Sequence, residues 1–202
     1  MKSRNSKIIV LLLLIGLFLT GCGKKEESDT KKPSNDNQNQ TDVKNLKIVD
    51  ANSKSRPYAV MINNISVARP LQSGLQDAYL MYEIIVEGGI TRYMALFMDQ
   101  NTTRIGSIRS ARHYFLDYAL ENDAIYVHHG QSPQAQSDFS ALGVDRIVVD
   151  NSKTGWRDKS LKVASEHTLF TSIEKLNNGL GSKRTTRNNN LLLNYSVDEI
   201  DM

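Results

Sequence analysis

Three arginines near the middle of the chain have the residue type and spacing of an anion-binding site. Arg104, Arg109 and Arg112 fall within nine residues, where the sequence predicts a helix that begins near Ser110. Free backbone N–H groups at a helix start favour anions, and a guanidinium offers paired donors to a phosphate or a carboxylate. Arg92, on the second strand of a predicted hairpin, joins them if the hairpin delivers it to the same edge. We therefore predict an anion site formed by these four arginines.

Further polar side chains are candidates to support this site. Glu83 and Glu87 offer acid or base groups, and His113 and His128 offer imidazoles. Two interpretations stay open. The arginines bind a phosphorylated or carboxylated ligand, or they pair on a solvated face with acidic residues, namely Glu83, Glu87, Asp117 and Glu121. An enzyme needs two arginines and at least one carboxylate converging on one pocket, whereas a binding module would show those arginines dispersed or neutralised.

Other site chemistries are disfavoured by the sequence. His128 and His129 are adjacent, and neighbouring residues of a strand point to opposite faces, so both cannot bind one metal ion. The single cysteine excludes an internal disulfide and a Cys-rich zinc motif. Ser107, Ser110 and Ser132 lack a Gly-x-Ser-x-Gly elbow, and we interpret them as capping residues. We therefore predict no catalytic residue, no metal and no cofactor, and we favour binding over catalysis.

The first 22 residues predict export and lipid attachment. A basic segment, residues 1–7, precedes twelve nearly all apolar residues, 8–19. A helix of that length rises about 18 Å, well short of a bilayer core of about 30 Å, so the pattern indicates a cleaved signal peptide over residues 1–21. The segment ends in Leu19-Thr20-Gly21-Cys22, which resembles the lipobox of bacterial lipoproteins. That resemblance implies a diacylglyceryl group, with acyl chains such as palmitate, on Cys22.

The predicted mature chain carries no net side-chain charge. Removal of residues 1–21 removes three basic side chains and leaves 22 basic against 22 acidic ones. A protein that contacts many phosphates of a nucleic acid usually has a basic excess, so we expect no nucleic-acid partner. Residues 22–44 are polar throughout and predict a disordered tether. The expected location is the cell membrane, with the domain held on its extracytoplasmic face by lipid.

Residues 45–176 predict a globular domain of the α/β or α+β class, with a mixed sheet, a hairpin and flanking helices. Alternating apolar runs and turn residues predict strands over 58–63, 79–86, 90–98, 124–128 and 144–149. Glu87-Gly88-Gly89 predicts the hairpin turn. Helical spacing predicts helices over 111–121, capped by Ser110, and from Pro133 to Gly143, capped by Ser132. Residues 177–202 predict a linker or the truncated start of a C-terminal domain.

Three longer segments resemble a known family. They are Tyr58-Ala-Val-Met-Ile-Asn63 with Ala68-Arg-Pro70, then Tyr82-Glu83 with Val86-Glu-Gly-Gly-Ile-Thr-Arg92, and then Ile105-Gly-Ser-Ile-Arg-Ser-Ala-Arg112 leading to His128 and Ser132-Pro133. Together they resemble the DUF3048 lipoproteins of Gram-positive bacteria, over residues 56–175. The resemblance implies a lipid-anchored protein of unknown activity and a second, C-terminal domain. Where family members tend to have Pro-His-Asn, this chain has Glu166-His167-Thr168.

The sequence thus predicts a membrane-anchored binding or accessory module of the cell envelope. Its expected partners are the membrane, through the lipid on Cys22, and cell-wall synthesis proteins or an anionic envelope ligand. The alternative is a surface enzyme or binder that acts on a phosphorylated, polyprenyl- or glycan-linked substrate through the arginines.

Overall fold

The structure is a computed structural model that describes residues 49–195. The predicted signal peptide (1–21), Cys22 and the tether (22–44) lie outside the described residues. Within 49–195, no helix has the length and apolar character needed to cross a membrane.

Eight strands and three α-helices make up the described chain. In chain order they are β1 (Tyr58–Asn63), β2 (Leu80–Ile85), β3 (Thr91–Phe97), β4 (Ile105–Gly106), α1 (Leu116–Glu121), β5 (Ile125–His128), α2 (Pro133–Ala141), β6 (Arg146–Val148), β7 (Trp156–Arg157), β8 (Leu169–Thr171) and α3 (Ile173–Asn178).

The main sheet has five strands in the order β2-β3-β1-β5-β6. β1 pairs in antiparallel fashion with β3 and in parallel fashion with β5, and β5 is parallel to β6. The sheet is therefore mixed, which confirms the predicted fold class. Three short antiparallel strands, in the order β4-β8-β7, form a second sheet that the sequence did not predict.

Both faces of the main sheet are covered, and β1 is buried along its whole length. Met61 and Tyr126 belong to one core cluster, which includes residues of α1 and α2. Val60 and Phe97 belong to the other, which includes residues of the small sheet and Leu176 of α3. Burial on both faces explains why β1 is an uninterrupted apolar run instead of an alternating one.

The predicted hairpin is confirmed. β2 and β3 pair from Leu80 opposite Leu96 to Ile85 opposite Thr91, and Glu87–Gly89 form the turn. Gly88 and Gly89 have φ angles of 75° and 72°, a region that glycine enters without the steric cost of a Cβ. The turn leaves Glu87 exposed at its tip.

The helix predicted over 111–121 begins later than expected. A 3-10 turn, His113–Phe115, precedes α1, and Ser110 does not cap either element. The Ala111 N–H donates to the Gly130 carbonyl at 2.9 Å, and this pairing with the loop after β5 prevents residue 111 from entering a helix. The prediction of a helix start at Ser110 is therefore wrong. Ser132, in contrast, caps α2 as expected by accepting the N–H of Ala135.

The chain continues to pack on the domain beyond residue 176. That predicted boundary falls inside α3. Further on, the Arg56 N–H donates to the Thr185 carbonyl at 2.7 Å, and the Arg187 N–H donates to the Lys54 carbonyl at 2.8 Å. Tyr195 packs against the first core cluster. The structure therefore moves the end of the domain from residue 176 to at least residue 195.

Arg56 links three separate parts of the chain at the start of β1. Its side chain is only 5% exposed. Nε donates to the Asp123 carbonyl at 2.7 Å, Nη1 binds the Asp145 carboxylate, and Nη2 donates to the Ala124 carbonyl at 3.5 Å. Asp123 is also bound by Arg184. This network joins the entry to β1, the turn before β5 and the C-terminal segment.

We expect Arg56→Gln to lower the free energy of unfolding by about 3 kcal/mol, because it strips a largely buried ion pair of its cation. Urea unfolding followed by circular dichroism measures the change. Lys175→Gln removes a half-buried lysine whose ammonium group donates to the Ser152 carbonyl at 3.3 Å, and it should change the free energy of unfolding by less than about 0.5 kcal/mol. Equal effects of the two substitutions would contradict the role given to Arg56.

Candidate functional site

β1 and β5 stop pairing before their carboxyl ends in the main sheet. The two strands pair only as far as Val60 and Val127. The chain leaves β1 towards β2 on one side and leaves β5 towards β6 on the other. In open α/β sheets, ligands bind at such a point outside the carboxyl ends of the strands. The topology therefore marks this edge as a candidate site.

Residues 107–111 lie between β1 and β5 where the two strands stop pairing, and they form hydrogen bonds to both sides. The Asn63 N–H donates to the Ser107 carbonyl at 2.9 Å, and the Arg109 N–H donates to the Met61 carbonyl at 3.0 Å. On the other side, the His129 N–H donates to the Arg109 carbonyl at 3.1 Å. Arg109 is thus held by its backbone between the two separating strands.

Three of the four predicted arginines meet at this edge. Arg92, on β3, donates from Nη1 to the Ser110 carbonyl at 2.6 Å. Arg112 donates from Nη1 to the next carbonyl, that of Ala111, at 2.8 Å. Arg109 lies one residue before Ser110, and its Nε is buried without a hydrogen-bond partner among the described residues. We call Arg92, Arg109 and Arg112 the arginine cluster.

The cluster has more positive than negative charge in contact with it. Arg112 Nε is 2.6 Å from Glu87 Oε1, and Arg109 Nη1 is 3.9 Å from Glu166 Oε1. Arg92 is 5% exposed, and within residues 49–195 no carboxylate lies within 4.0 Å of its guanidinium. Burial, followed by the charges of Arg112 and Arg109, lowers the pKa of Arg92 to about 10. Arg92 therefore stays charged at neutral pH against an electrostatic cost.

Arg104 does not join the cluster. Its guanidinium carbon lies 3.6 Å from the centre of the Phe170 ring, and Nη2 is 2.8 Å from Asp158 Oδ2. The charge of Arg104 is thus paired within the loop and strands of the small sheet, and it is not available to a ligand at the arginine cluster.

Glu83 and His113 also lie apart from the arginines. Glu83 Oε1 accepts hydrogen bonds from Thr91 Oγ1 at 2.7 Å and from Asn64 Nδ2 at 3.1 Å, both neutral donors. His113 is exposed, and its ring contacts Tyr114 with 4.9 Å between the centroids. Of the four supporting residues predicted, only Glu87 contacts an arginine of the cluster.

His128 is a core residue beside the cluster. Its ring stacks on Phe139 with 5.1 Å between centroids, and Nδ1 lies 2.8 Å from the Gly130 carbonyl. Burial is the main cause that lowers its pKa to about 4, so the ring is neutral at neutral pH. Nε2 and the hydroxyl of Tyr126 are buried without hydrogen-bond partners among residues 49–195.

A second set of polar residues at this edge was not predicted from sequence. His129 points away from His128: its Nδ1 lies 2.7 Å from the Val149 carbonyl, and its Nε2 lies 3.2 Å from Arg157 Nη2. Arg157 also donates to the Ser165 carbonyl. Arg157 is therefore a further basic residue next to the turn that carries Glu166.

The Glu166 turn is held in place by a buried amide. Asn63 Nδ2 lies 2.9 Å from His167 Nδ1, and His167 Nε2 lies 3.3 Å from Glu166 Oε1. The two ends of the first contact are 104 residues apart in the chain, so no local pattern could have indicated it. The contact brings Glu166 to the arginine cluster.

The fold and the site together define a class of protein: a mixed α/β domain with a basic cluster at the carboxyl edge of its sheet. A sequence profile described as "Protein of unknown function (DUF3048) N-terminal domain" matches residues 45–186. The chain belongs to the DUF3048 family, as its motifs predicted.

Two comparisons with YerB of Bacillus subtilis support this assignment. The protein named "Putative lipoprotein YerB", from strain 168, is 32% identical over 192 residues, which are 93% of this chain and 56% of YerB. The crystal structure of YerB matches with a TM-score of 0.60 and 36% identity, covering 66% of this chain and 46% of that one. The chain thus spans about half the length of this relative, and the likeness extends to the fold.

Burial of neutral His128 predicts a loss of stability in acid. Because the folded pKa of about 4 lies below the ordinary 6.5, protons bind more readily to the unfolded chain. The contribution of His128 is complete above pH 6.5 and is lost as the pH falls towards 4. Between pH 7 and pH 4 we expect the loss of this contribution to lower the free energy of unfolding by roughly 3 kcal/mol.

Urea unfolding of the wild type and of His128→Gln, each at pH 7 and pH 4, measures this contribution as the difference between their pH dependences. His113→Gln, at an exposed histidine, serves as the control and should keep the wild-type dependence. A His128→Gln variant with the same loss in acid as the wild type would refute the assignment.

Proposed function

We propose that this protein is a lipoprotein, anchored by lipid on Cys22 at the extracytoplasmic face of the cell membrane, whose domain binds the anionic group of an envelope ligand. The arginine cluster is the binding site. The domain acts as a binding or accessory module. The observation that carries the anion site is Arg92, a buried guanidinium bonded to a carbonyl and surrounded by two further arginines.

An anion at the cluster would offset an existing electrostatic cost. A buried charge is unfavourable unless a charge of opposite sign pairs with it. The Arg109 and Arg112 charges add repulsion to the burial of Arg92. A phosphate or carboxylate placed against the cluster would reduce both effects. Guanidinium groups also suit the paired oxygens of these anions better than lysine does.

The histidines at this edge favour binding over catalysis. A general base must be able to take up a proton near neutral pH. His128 is buried with a pKa lowered to about 4, and both ring nitrogens of His129 already have partners. Glu87 is bonded to Arg112, which lowers the pKa of Glu87 and keeps it a weak base.

One contact favours the alternative, a surface enzyme acting on a phosphorylated polyprenyl- or glycan-linked substrate. Asn63, His167 and Glu166 form an amide–imidazole–carboxylate chain beside Arg109. A carboxylate oriented by an imidazole next to an arginine is an arrangement that enzymes use in acid–base chemistry. Turnover of a phosphorylated envelope lipid by the wild type, lost in Glu166→Gln, would favour this alternative.

Two findings support the proposed location. The Leu19-Thr20-Gly21-Cys22 segment resembles a lipobox, and the relative YerB is named as a lipoprotein. Acylation with two chains gives stable membrane attachment, whereas one chain is marginal. Cell-wall synthesis proteins are proposed as the protein partners, since they work at the same surface.

The double substitution Arg109→Gln with Arg112→Gln tests the anion site. Inorganic phosphate, titrated into the protein by calorimetry at low ionic strength, should bind the double variant at least about tenfold more weakly, because each arginine supplies charge-assisted hydrogen bonds. Arg104→Gln is the matched control. Its guanidinium is paired with Asp158, so the phosphate affinity should not change. Equal affinities of the wild type and the double variant, or no binding by the wild type, would sink the proposed site.

Cys22→Ala tests the anchor. Intact-mass spectrometry of the wild-type protein from membranes should show cleavage before Cys22 and an added diacylglyceryl group. Cys22→Ala should move from the membrane fraction to the soluble or secreted fraction, because the lipid is its only proposed attachment. An unmodified N-terminal leader on the wild type, or a variant that stays with membranes, would contradict the proposal.

A further inference from the structure

We propose that Glu87 and Glu166 act as internal counterions of the arginine cluster and that the ligand is a diphosphate, whose two phosphoryl groups displace them together. This inference rests on the proposed anion site. It specifies that the ligand has two anionic groups and that the carboxylates of Glu87 and Glu166 compete with them for the arginines.

The two glutamates reach the cluster from different turns of the chain. Glu87 lies on the turn between β2 and β3, and its carboxylate is bonded to Arg112. Glu166 lies on the 3-10 turn Ser165–His167, before β8, and its carboxylate faces Arg109. Each outer arginine therefore has one carboxylate, and Arg92 has none within 4.0 Å among residues 49–195.

Both glutamates are far more exposed than the arginines they contact. The Glu87 side chain is 62% exposed against 15% for Arg112, and the Glu166 side chain is 59% exposed against 22% for Arg109. Exposed ion pairs contribute little to stability, and both carboxylates lie on turns. The glutamates can move into water while Arg92 and Arg112 stay bonded to the backbone carbonyls of Ser110 and Ala111 and the backbone of Arg109 stays bonded to Met61 and His129.

The charges and positions match a ligand with two linked anionic groups. Displacing both carboxylates frees the guanidinium groups of Arg109 and Arg112 for the ligand, next to Arg92, which is bonded to the Ser110 carbonyl. A single phosphate can replace only one carboxylate at a time and leaves the other in competition. A diphosphate replaces both in one binding event.

Glu83 provides the matched control. It lies on the same hairpin as Glu87, and its carboxylate accepts hydrogen bonds from Thr91 and Asn64 instead of an arginine. Neutralising Glu83 therefore removes one negative charge from the same hairpin without freeing an arginine of the cluster.

Calorimetric titration with inorganic pyrophosphate and with inorganic phosphate, at equal ionic strength, tests the inference. Pyrophosphate should bind the wild type at least about tenfold more tightly than phosphate. The double variant Glu87→Gln with Glu166→Gln should bind pyrophosphate about three- to tenfold more tightly than the wild type. Glu83→Gln should bind as the wild type does. Circular dichroism checks that all variants are folded.

The possible results separate this inference from the proposed function. If binding depends on the arginines but the Glu87→Gln with Glu166→Gln variant binds pyrophosphate no more tightly than the wild type, the proposed displacement of the glutamates is wrong. Equal affinities for phosphate and pyrophosphate overturn the diphosphate. Binding that does not depend on Arg109 and Arg112 overturns the anion site itself. A comparison of free pyrophosphate with phosphatidylcholine vesicles that carry a polyprenyl diphosphate then assigns the source, since tighter binding to the vesicles indicates a lipid-linked ligand.

Discussion

The site depends on how the backbone is satisfied where β1 and β5 part. Buried N–H and carbonyl groups require partners, and residues 107–111 supply them to both strands at once. Arg109 donates to Met61 and accepts from His129. Once these bonds are made, the carbonyls of Ser110 and Ala111 point to fixed places, and Arg92 and Arg112 bind there. Main-chain carbonyls therefore set the positions of the Arg92 and Arg112 guanidinium groups, and main-chain bonds hold the backbone of Arg109.

This origin explains how like charges stay close together. Arg92 and Arg112 are each restrained by a main-chain carbonyl. The burial and repulsion that lower the pKa of Arg92 are offset by the stability of a sheet whose two faces are covered by apolar cores. The glutamates add little to that framework because they lie on exposed turns. The framework thus holds the arginines in place, and the exposed carboxylates of Glu87 and Glu166 partly neutralise them.

Sequence patterns predicted the parts of the fold that local chemistry decides. β1, the Gly-Gly hairpin and the Ser132 cap of α2 follow from apolar runs, positive φ angles and capping. The prediction of a helix start at Ser110 was wrong because Ala111 pairs with Gly130, a contact that sequence periodicity cannot reveal. Arg104 lies in the same basic segment of the sequence as Arg109 and Arg112, but in the structure its guanidinium pairs with Asp158. Two-residue strands and the Asn63–His167 contact join distant segments and leave no local signal.

The pairing of residues 53–56 with residues 184–187 also determines how the domain responds to pulling. The two segments run side by side, joined by the Arg56–Thr185 and Arg187–Lys54 hydrogen bonds and by the bond from Arg187 to the Ser53 carbonyl. Tension applied between residues 53 and 187 would break the hydrogen bonds of this short pair one after another. The five-stranded sheet would lie outside the line of force, so the basic edge would keep its shape under mechanical load.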